Sequence, residues 1–251
     1  MFITRRELAD AQLACTDRDG GVSQPPFDSL NLGMSDTDRL DDVLANFELV
    51  RSHLGVRQLV AVAQVHGRDV LTVDHGFRAN WHEGSEVGDA IAGQPALPRA
   101  DALVTVETNV ALTIRAADCV PVLLAAPGVV GAAHAGRVGL LAGVLDAVVN
   151  AMRQLDAGPI TAWIGPHVCA ACYEVPAEMA ADAWERIPET QARSRQGTPA
   201  INLGAGAAAE LIRLGCDVIR EDPCTVETPT LFSHRRDGPR TGRLAAFIWQ
   251  P

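Results

Sequence analysis

Residues 117–139 read ADCVPVLLAAPGVVGAAHAGRVG, two apolar runs separated by Pro127-Gly128. Runs this short and this apolar read as buried strands, and a Pro-Gly pair between them reads as their turn. A chain carrying such a hairpin has to bury it, so a sizeable core is dictated at the outset. Strand-like runs at 101–106 and 110–115, turning around Thr108-Asn109, extend the hairpin into a dense β cluster. Two residues stand out from this apolar pattern: Cys119 opens the first run of the hairpin and His134 closes the second.

The material around the cluster sets the fold class. Leu40, Val43, Leu44, Phe47, Val50 and Leu54 recur at helical spacing with Gly55 as the stop, predicting a helix over 40–54. Residues 59–74 predict two short β runs pivoting on His66-Gly67-Arg68, a hairpin or bulged corner with His66 at its tip. Further helices are expected over 138–155, from about Pro176 and at about 204–214, with strands in 159–165 and 242–249. Strands cluster and helices follow in two groups. The expectation is an α+β fold of mixed β-sheets with helices packed outside, an α/β/β/α-like layering, with 1–251 as a single domain. The polar stretch 75–100, which includes His75, His82, Glu83, Glu86 and Asp89, is expected to be a surface loop of the kind that covers a site.

Composition narrows the partners. Hydrophobic residues make up 47% of the 251 and aromatics only 4%, so the core is expected to be built from Ala, Val, Leu and Ile. A formal net charge of −10 argues against a phosphate backbone as ligand, so no nucleic acid is expected. The first fifteen residues lack the apolar region of a signal peptide, and no apolar run reaches the length of a membrane span. A soluble cytoplasmic protein with no membrane partner is expected; the oligomeric state is left open. Six cysteines are too sparse for a disulfide scaffold, which leaves buried thiol, metal ligand or nucleophile for each.

His66, Cys119 and His134 each lie at a strand end beside a chain reversal, where side chains from separate strands can converge. Two imidazoles and one thiolate suit a three-ligand zinc ion with a fourth position for water or substrate. From spacing alone, a core histidine and a thiol acting as a small hydrophobe are the commoner readings. Asp118 and Arg115 are close enough in sequence to support such a site, and Asp118 is a candidate proton carrier. Cys169 and Cys172 form a C-x-x-C pair. Its other half would have to come from Cys216 and Cys224, spaced too widely for a zinc knuckle.

The segments TDRDGGVSQPPFDSLNLG, QVHG, ADALVT, ADCVPVLL, HAGRVG, IGPHVCAACYEV, CT at 224–225 and FSHRRDGPRTGR occur in this order along nearly the whole chain. In this the chain resembles the YfiH-like, laccase-domain family, first labelled multicopper polyphenol oxidases and now described as purine nucleoside phosphorylases with adenosine deaminase activity. The resemblance implies metal ligands at His66, Cys119 and His134, with Zn2+ favoured over copper. It also implies a nucleoside and phosphate as partners: phosphorolysis of adenosine, inosine or methylthioadenosine, and deamination of adenosine. Two departures are visible. The family segment HAGWRG reads HAGRVG here, which moves the arginine to Arg137, and His167 stands where a cysteine or small residue is common.

Phosphorolysis needs cations around phosphate, and Arg235, Arg236 and Arg243, with Arg137, are the candidates; a solvated basic loop is the plainer account. A second function class is a cysteine hydrolase, with Cys119 as nucleophile beside His134 or His66, fitting the editing of peptidoglycan precursors also proposed in the family. A copper polyphenol oxidase ranks last, because seven scattered histidines are too few for several copper centres.

Overall fold

The computed structural model describes residues 1–34, 38–75, 77 and 97–251. Strands β1 (Phe2–Leu8) and β2 (Ala11–Thr16) lead to α1 (Leu40–Leu54), β3 (Gln58–Val60) and β4 (Val70–Val73). The β cluster follows as β5 (Ala102–Thr105), β6 (Val110–Ala116), β7 (Val120–Ala126) and β8 (Val129–Ala135). Next come α2 (Arg137–Ala142), α3 (Val144–Gln154), β9 (Thr161–Ile164), α4 (Ala177–Arg186), β10 (Gln191–Arg193) and β11 (Pro199–Ile201). The chain closes with α5 (Leu203–Arg213), β12 (Asp217–Arg220), α6 (His234–Asp237) and β13 (Leu244–Trp249).

Two mixed sheets form the centre, a five-stranded one ordered β1-β2-β13-β6-β3 and a six-stranded one ordered β12-β9-β7-β8-β5-β4. Leu13, Leu112, Ile114 and Ile248 of the first meet Leu103, Leu123, Val130 and Trp163 of the second in a shared apolar layer. The outer face of the six-stranded sheet, with Val104, Val122 and Leu124, packs against Val148 and Met152 of α3 and Leu211 of α5. The outer face of the other sheet, with Leu59, Phe247 and Trp249, packs against Val43, Phe47 and Val50 of α1. The result is the α+β, helix-sheet-sheet-helix layering that the hairpin and its flanking helices predict.

β7 and β8 pair antiparallel, and the turn at Pro127-Gly128 places Gly128 at φ +76°. All fourteen residues of the two strands are buried, because each sheet face is covered. The two-residue period then places the site. Leu123 and Ala125 of β7 and Val130 and Ala132 of β8 face the layer between the sheets. Cys119 and His134, two-residue steps along the same faces, come to the end of that layer.

Two expectations change, and several strands are new. Residues 59–74 form no hairpin: β3 pairs with β6 in one sheet and β4 with β5 in the other, so the chain crosses between sheets and His66 sits in the crossing. The helix expected over 138–155 is two helices, since Gly143 takes φ +87° and caps α2. Strands β1, β2 and β12 and the small β10-β11 ribbon carry too little apolar alternation to be legible beforehand. The loop expected over 75–100 lies mostly outside the described residues. Among the described residues, no helix is long and apolar enough to cross a membrane.

Gly143→Ala forces an L side chain into the left-handed region, and is expected to lower stability by about 1–2 kcal/mol. Thermal unfolding with unchanged far-UV circular dichroism checks this; an unchanged Tm would mean that α2 and α3 can run on as one helix.

Candidate active site

His66, Cys119 and His134 converge. Their ligand atoms all lie within 4.8 Å of one another, and Sγ of Cys119 is 3.9 Å from Nε2 of His66. The two imidazoles meet edge to face with centroids 4.9 Å apart. His134 is buried, Cys119 half-buried and His66 exposed, so the group is open on one side. Gly136 makes this approach possible: a Cβ there would come within 2.9 Å of both Cys119 Sγ and His66 Cδ2. The set can hold one metal ion, with the chemistry of a borderline-soft cation.

What brings the three together is Asp101, which leads into β5 and is fully buried. Its carboxylate accepts the backbone N–H groups of Val65 (3.1 Å), His66 (2.9 Å) and Gly67 (2.6 Å), fixing the crossing in which His66 takes φ +60°. The same carboxylate lies 2.9 Å from Nδ1 of His134. That contact places the imidazole proton on Nδ1 and leaves Nε2 as the acceptor facing Cys119 and His66.

Burial holds His134 below its ordinary pKa, against the opposing pull of Asp101. Burial also pushes the Asp101 carboxyl up, but the hydrogen bonds from His134, Gly67 and Val65 outweigh it and keep it below the usual carboxylate range. In both groups the unfolded chain binds more protons than the folded one. Their contribution to stability is therefore present at neutral pH and is lost as the pH falls, first through the ordinary histidine range and then through the carboxylate range. Burial, with Asp118 nearby, pushes the Cys119 thiol up to about 12, so without a cation its sulfur stays protonated.

The group opens into a cleft of about 540 Å³, whose other walls include Tyr173, His234, Arg235, Arg115 and Arg243. Two further surface hollows, along β1 beside Glu221 and beside Arg57 and Asn109, bring no such donor set together among the described residues. Arg243 is largely buried, and burial lowers its pKa, while Cys119 and Asp118 pull it back up. Burial and the charge of Arg243 bring Arg115 down to about 10, which still leaves its guanidinium cationic at neutral pH. Nε of Arg115 is the one buried side-chain polar atom among the described residues without a hydrogen-bond partner. Arg235 lies over the Tyr173 ring at 5.2 Å; burial raises the Tyr173 hydroxyl pKa, while Arg137, in the first turn of α2, acts with Arg235 to pull it down.

Other sequence expectations acquire different roles. Asp118, at φ +96°, accepts from Thr225 Oγ1 (2.6 Å), Ser233 Oγ (2.7 Å) and the Arg235 N–H (2.6 Å). A carboxylate engaged by three donors ties together the loops that carry Thr225, Ser233 and Arg235. Arg236 donates to the carbonyls of Thr225, Thr228 and Leu231 and to the Asp237 carboxylate. Its N–H groups are engaged in holding that loop, and it is not among the residues that line the cleft. His167 is neither in the cleft nor on the surface: it is buried, with Nδ1 donating to the Gly165 carbonyl at 2.9 Å and Nε2 3.8 Å from Asp222. Asp101, Tyr173 and His234 were missed as site residues. The signal for Asp101 was a carboxylate immediately before a wholly apolar strand, which cannot be buried without donors around it.

A cysteine and two imidazoles at the end of an inter-sheet layer, in a cleft shared with the guanidiniums of Arg115 and Arg243, define a candidate catalytic metal site in a layered α+β protein. The sequence comparisons assign its kin. A family model described as multi-copper polyphenol oxidoreductase laccase matches residues 12–251, and the chain belongs to this family. It is 47% identical over 256 residues to a purine nucleoside phosphorylase of Streptomyces coelicolor, covering 99% of each chain. It is 36% identical to the purine nucleoside phosphorylase YfiH of Shigella flexneri, covering 99% of this chain and 98% of that one. Among solved structures it resembles YlmD from Geobacillus stearothermophilus, with a TM-score of 0.85 and 31% identity, covering 96% of this chain and 92% of that one. A Neisseria meningitidis structure gives a TM-score of 0.81 at 33% identity, covering 99% and 98%.

Asp101→Asn keeps the side-chain size but turns an NH2 group toward backbone donors. We expect about 10- to 100-fold weaker metal affinity, with His134 no longer held in one tautomer. Competition with a chelator of known affinity measures this; unchanged affinity would remove Asp101 from its positioning role.

Proposed function

We propose that the protein is a zinc-dependent purine nucleoside phosphorylase, acting on adenosine, inosine or methylthioadenosine, with adenosine deamination as a second activity. The observation that carries this reading is the cleft in which an open Cys-His-His donor set faces the guanidiniums of Arg115 and Arg243. The names of the relatives in Streptomyces and Shigella support it.

The donor set fits zinc. Gly136 leaves room between the ligands, and His134 presents Nε2 because Asp101 holds Nδ1. When bound, the ion supplies Lewis acidity and lowers the pKa of a coordinated water toward about 7. Among the described residues, the other donor group able to hold a metal contains no histidine, so the several histidine-rich centres of a multicopper oxidase have no counterpart there.

In phosphorolysis, phosphate attacks C1′ of the ribose as the purine leaves, so the nucleophile must be held in a protein whose net charge repels it. Arg115 and Arg243 perform this holding. Both are desolvated and line the cleft, with Arg115 seated on the Val62 carbonyl and Arg243 on those of Thr241 and Gly242, and an anion beside them offsets the cost of burying two like charges. Arg235 and Arg137 flank Tyr173, so the cationic wall continues along a ring on which a base or sugar can rest. The raised thiol pKa of Cys119 disfavours the cysteine-hydrolase alternative, because a metal-free nucleophile needs the thiolate.

Each charge-assisted contact to phosphate is worth roughly 1.5–3 kcal/mol, so Arg243→Ala is expected to raise the apparent KM for phosphate about tenfold or more. Deamination of adenosine, which uses water, should hardly change. Arg236→Ala should instead weaken both reactions together, through the loop it holds. Equal losses in both reactions for Arg243→Ala would reject it as a phosphate contact, and hydrolysis of a serine-containing peptidoglycan precursor in place of both reactions would favour the hydrolase.

A further inference from the structure

Away from the cleft's donor set, Cys169, Cys172, Cys224 and Glu227 present ligand atoms that all lie within 4.8 Å of one another. All three cysteines are free thiols. Sγ of Cys172 is 3.3 Å and Sγ of Cys169 3.8 Å from Oε1 of Glu227. A tetrahedral ion with metal–sulfur bonds of about 2.3 Å and a metal–oxygen bond of about 2.1 Å needs donor separations of roughly 3.6–3.8 Å. The cluster is therefore within a few tenths of an ångström to an ångström of that geometry.

The backbone explains why four distant positions meet. After β9, the chain turns through residues 170–172, with the Cys172 N–H donating to the Cys169 carbonyl at 3.0 Å. Beside it, residues 224–228 make a second turn, with the N–H groups of Glu227 and Thr228 donating to the Cys224 carbonyl. The two turns are joined by a bridge between His167 and Cys224, and the Cys169 N–H donates to Cys224 Sγ at 3.3 Å. Each turn delivers two donors three positions apart: Cys169 and Cys172 from one, Cys224 and Glu227 from the other. The missing half of the C-x-x-C pair is thus a C-x-x-E. Cys216, on which the sequence expectation depended, is elsewhere, buried in the core beside α5.

We propose that these four residues form a second metal site, structural rather than catalytic, that takes a thiophilic divalent cation such as zinc. Three thiolates and one carboxylate fill all four positions of a tetrahedral ion, as in closed structural sites. The cluster with a divalent ion carries net negative charge, and Arg195, ion-paired with Glu227, offsets part of it. The ion would join two loops that both reach the cleft. Tyr173 follows Cys172 and lines the cleft wall, and Thr225 follows Cys224 and donates to Asp118.

Elemental analysis of untagged protein purified from zinc-supplemented cells tests this. About two metal ions per chain are expected, with about one left in Cys119→Ser, one in Cys172→Ser and none in the double variant. Should Cys172→Ser fail to fold, Cys119→Ser alone carries the test. Loaded with cobalt(II), it should show the intense near-ultraviolet thiolate-to-cobalt band of a multi-thiolate site, and chelation should lower its Tm. Cys119→Ser that binds no metal, or intact-mass evidence of a Cys169–Cys172 disulfide in protein kept from air, would overturn the proposal. Because the Cys119 site is removed in that variant, failure here is separable from failure of the catalytic reading.

Discussion

A carboxylate with no exposure to water, held by three backbone N–H groups and one imidazole, is the interaction on which the rest of the site depends. Asp101 lies against the crossing at residues 65–67, where the chain passes from one sheet to the other, and its four donors come from two segments distant in sequence. Burying a charge without partners costs several kcal/mol, so the donors are required wherever this carboxylate is placed. Their requirement in turn fixes the crossing at residues 65–67 and the ring of His134. Once those are fixed, the hairpin of β7 and β8 needs only its two-residue period to bring Cys119 alongside.

The cleft adds a second constraint of opposite sign. In a chain with a net charge of −10, two desolvated guanidiniums, Arg115 and Arg243, face the donor set with little to neutralise them. The remaining polar groups of that wall serve to hold it: Asp118 binds Thr225, Ser233 and the Arg235 N–H, and Arg236 holds the carbonyls of the same loop. Two anchoring residues thus leave the other cations available to a ligand. Arg115 and Arg243 are themselves seated on backbone carbonyls, of Val62 and of Thr241 and Gly242, while they line the cleft.

The layered fold was legible because its strongest signals are local. The β7-β8 hairpin, the capped α1 and the strands at 110–116 and 161–164 announce themselves by composition and period. The metal-ligand candidates were legible from residue type at strand ends together with the family motifs. What sequence could not supply was which sheet each strand joins: β3 and β4 look like a hairpin until their partners, β6 and β5, prove to lie in different sheets. Arg236 and Arg243 likewise look alike in a basic segment; both donate to backbone carbonyls, and what tells them apart is that Arg236 is also ion-paired with Asp237 whereas Arg243 lines the cleft. Cys224 is legible as a partner of Cys169 only together with Cys216, and Glu227 not at all, because the contact that joins the two turns spans more than fifty residues.

The central claim is that the Cys-His-His set and the paired arginines serve one reaction, transfer of a ribosyl group to phosphate. Its most direct test is to follow adenosine with protein before chelation, after chelation and after zinc is restored, each with and without phosphate. Free adenine and ribose 1-phosphate are expected only when both phosphate and the metal are present, with activity returning on zinc addition. Base release that persists unchanged without phosphate, or after the metal is removed, would contradict the account.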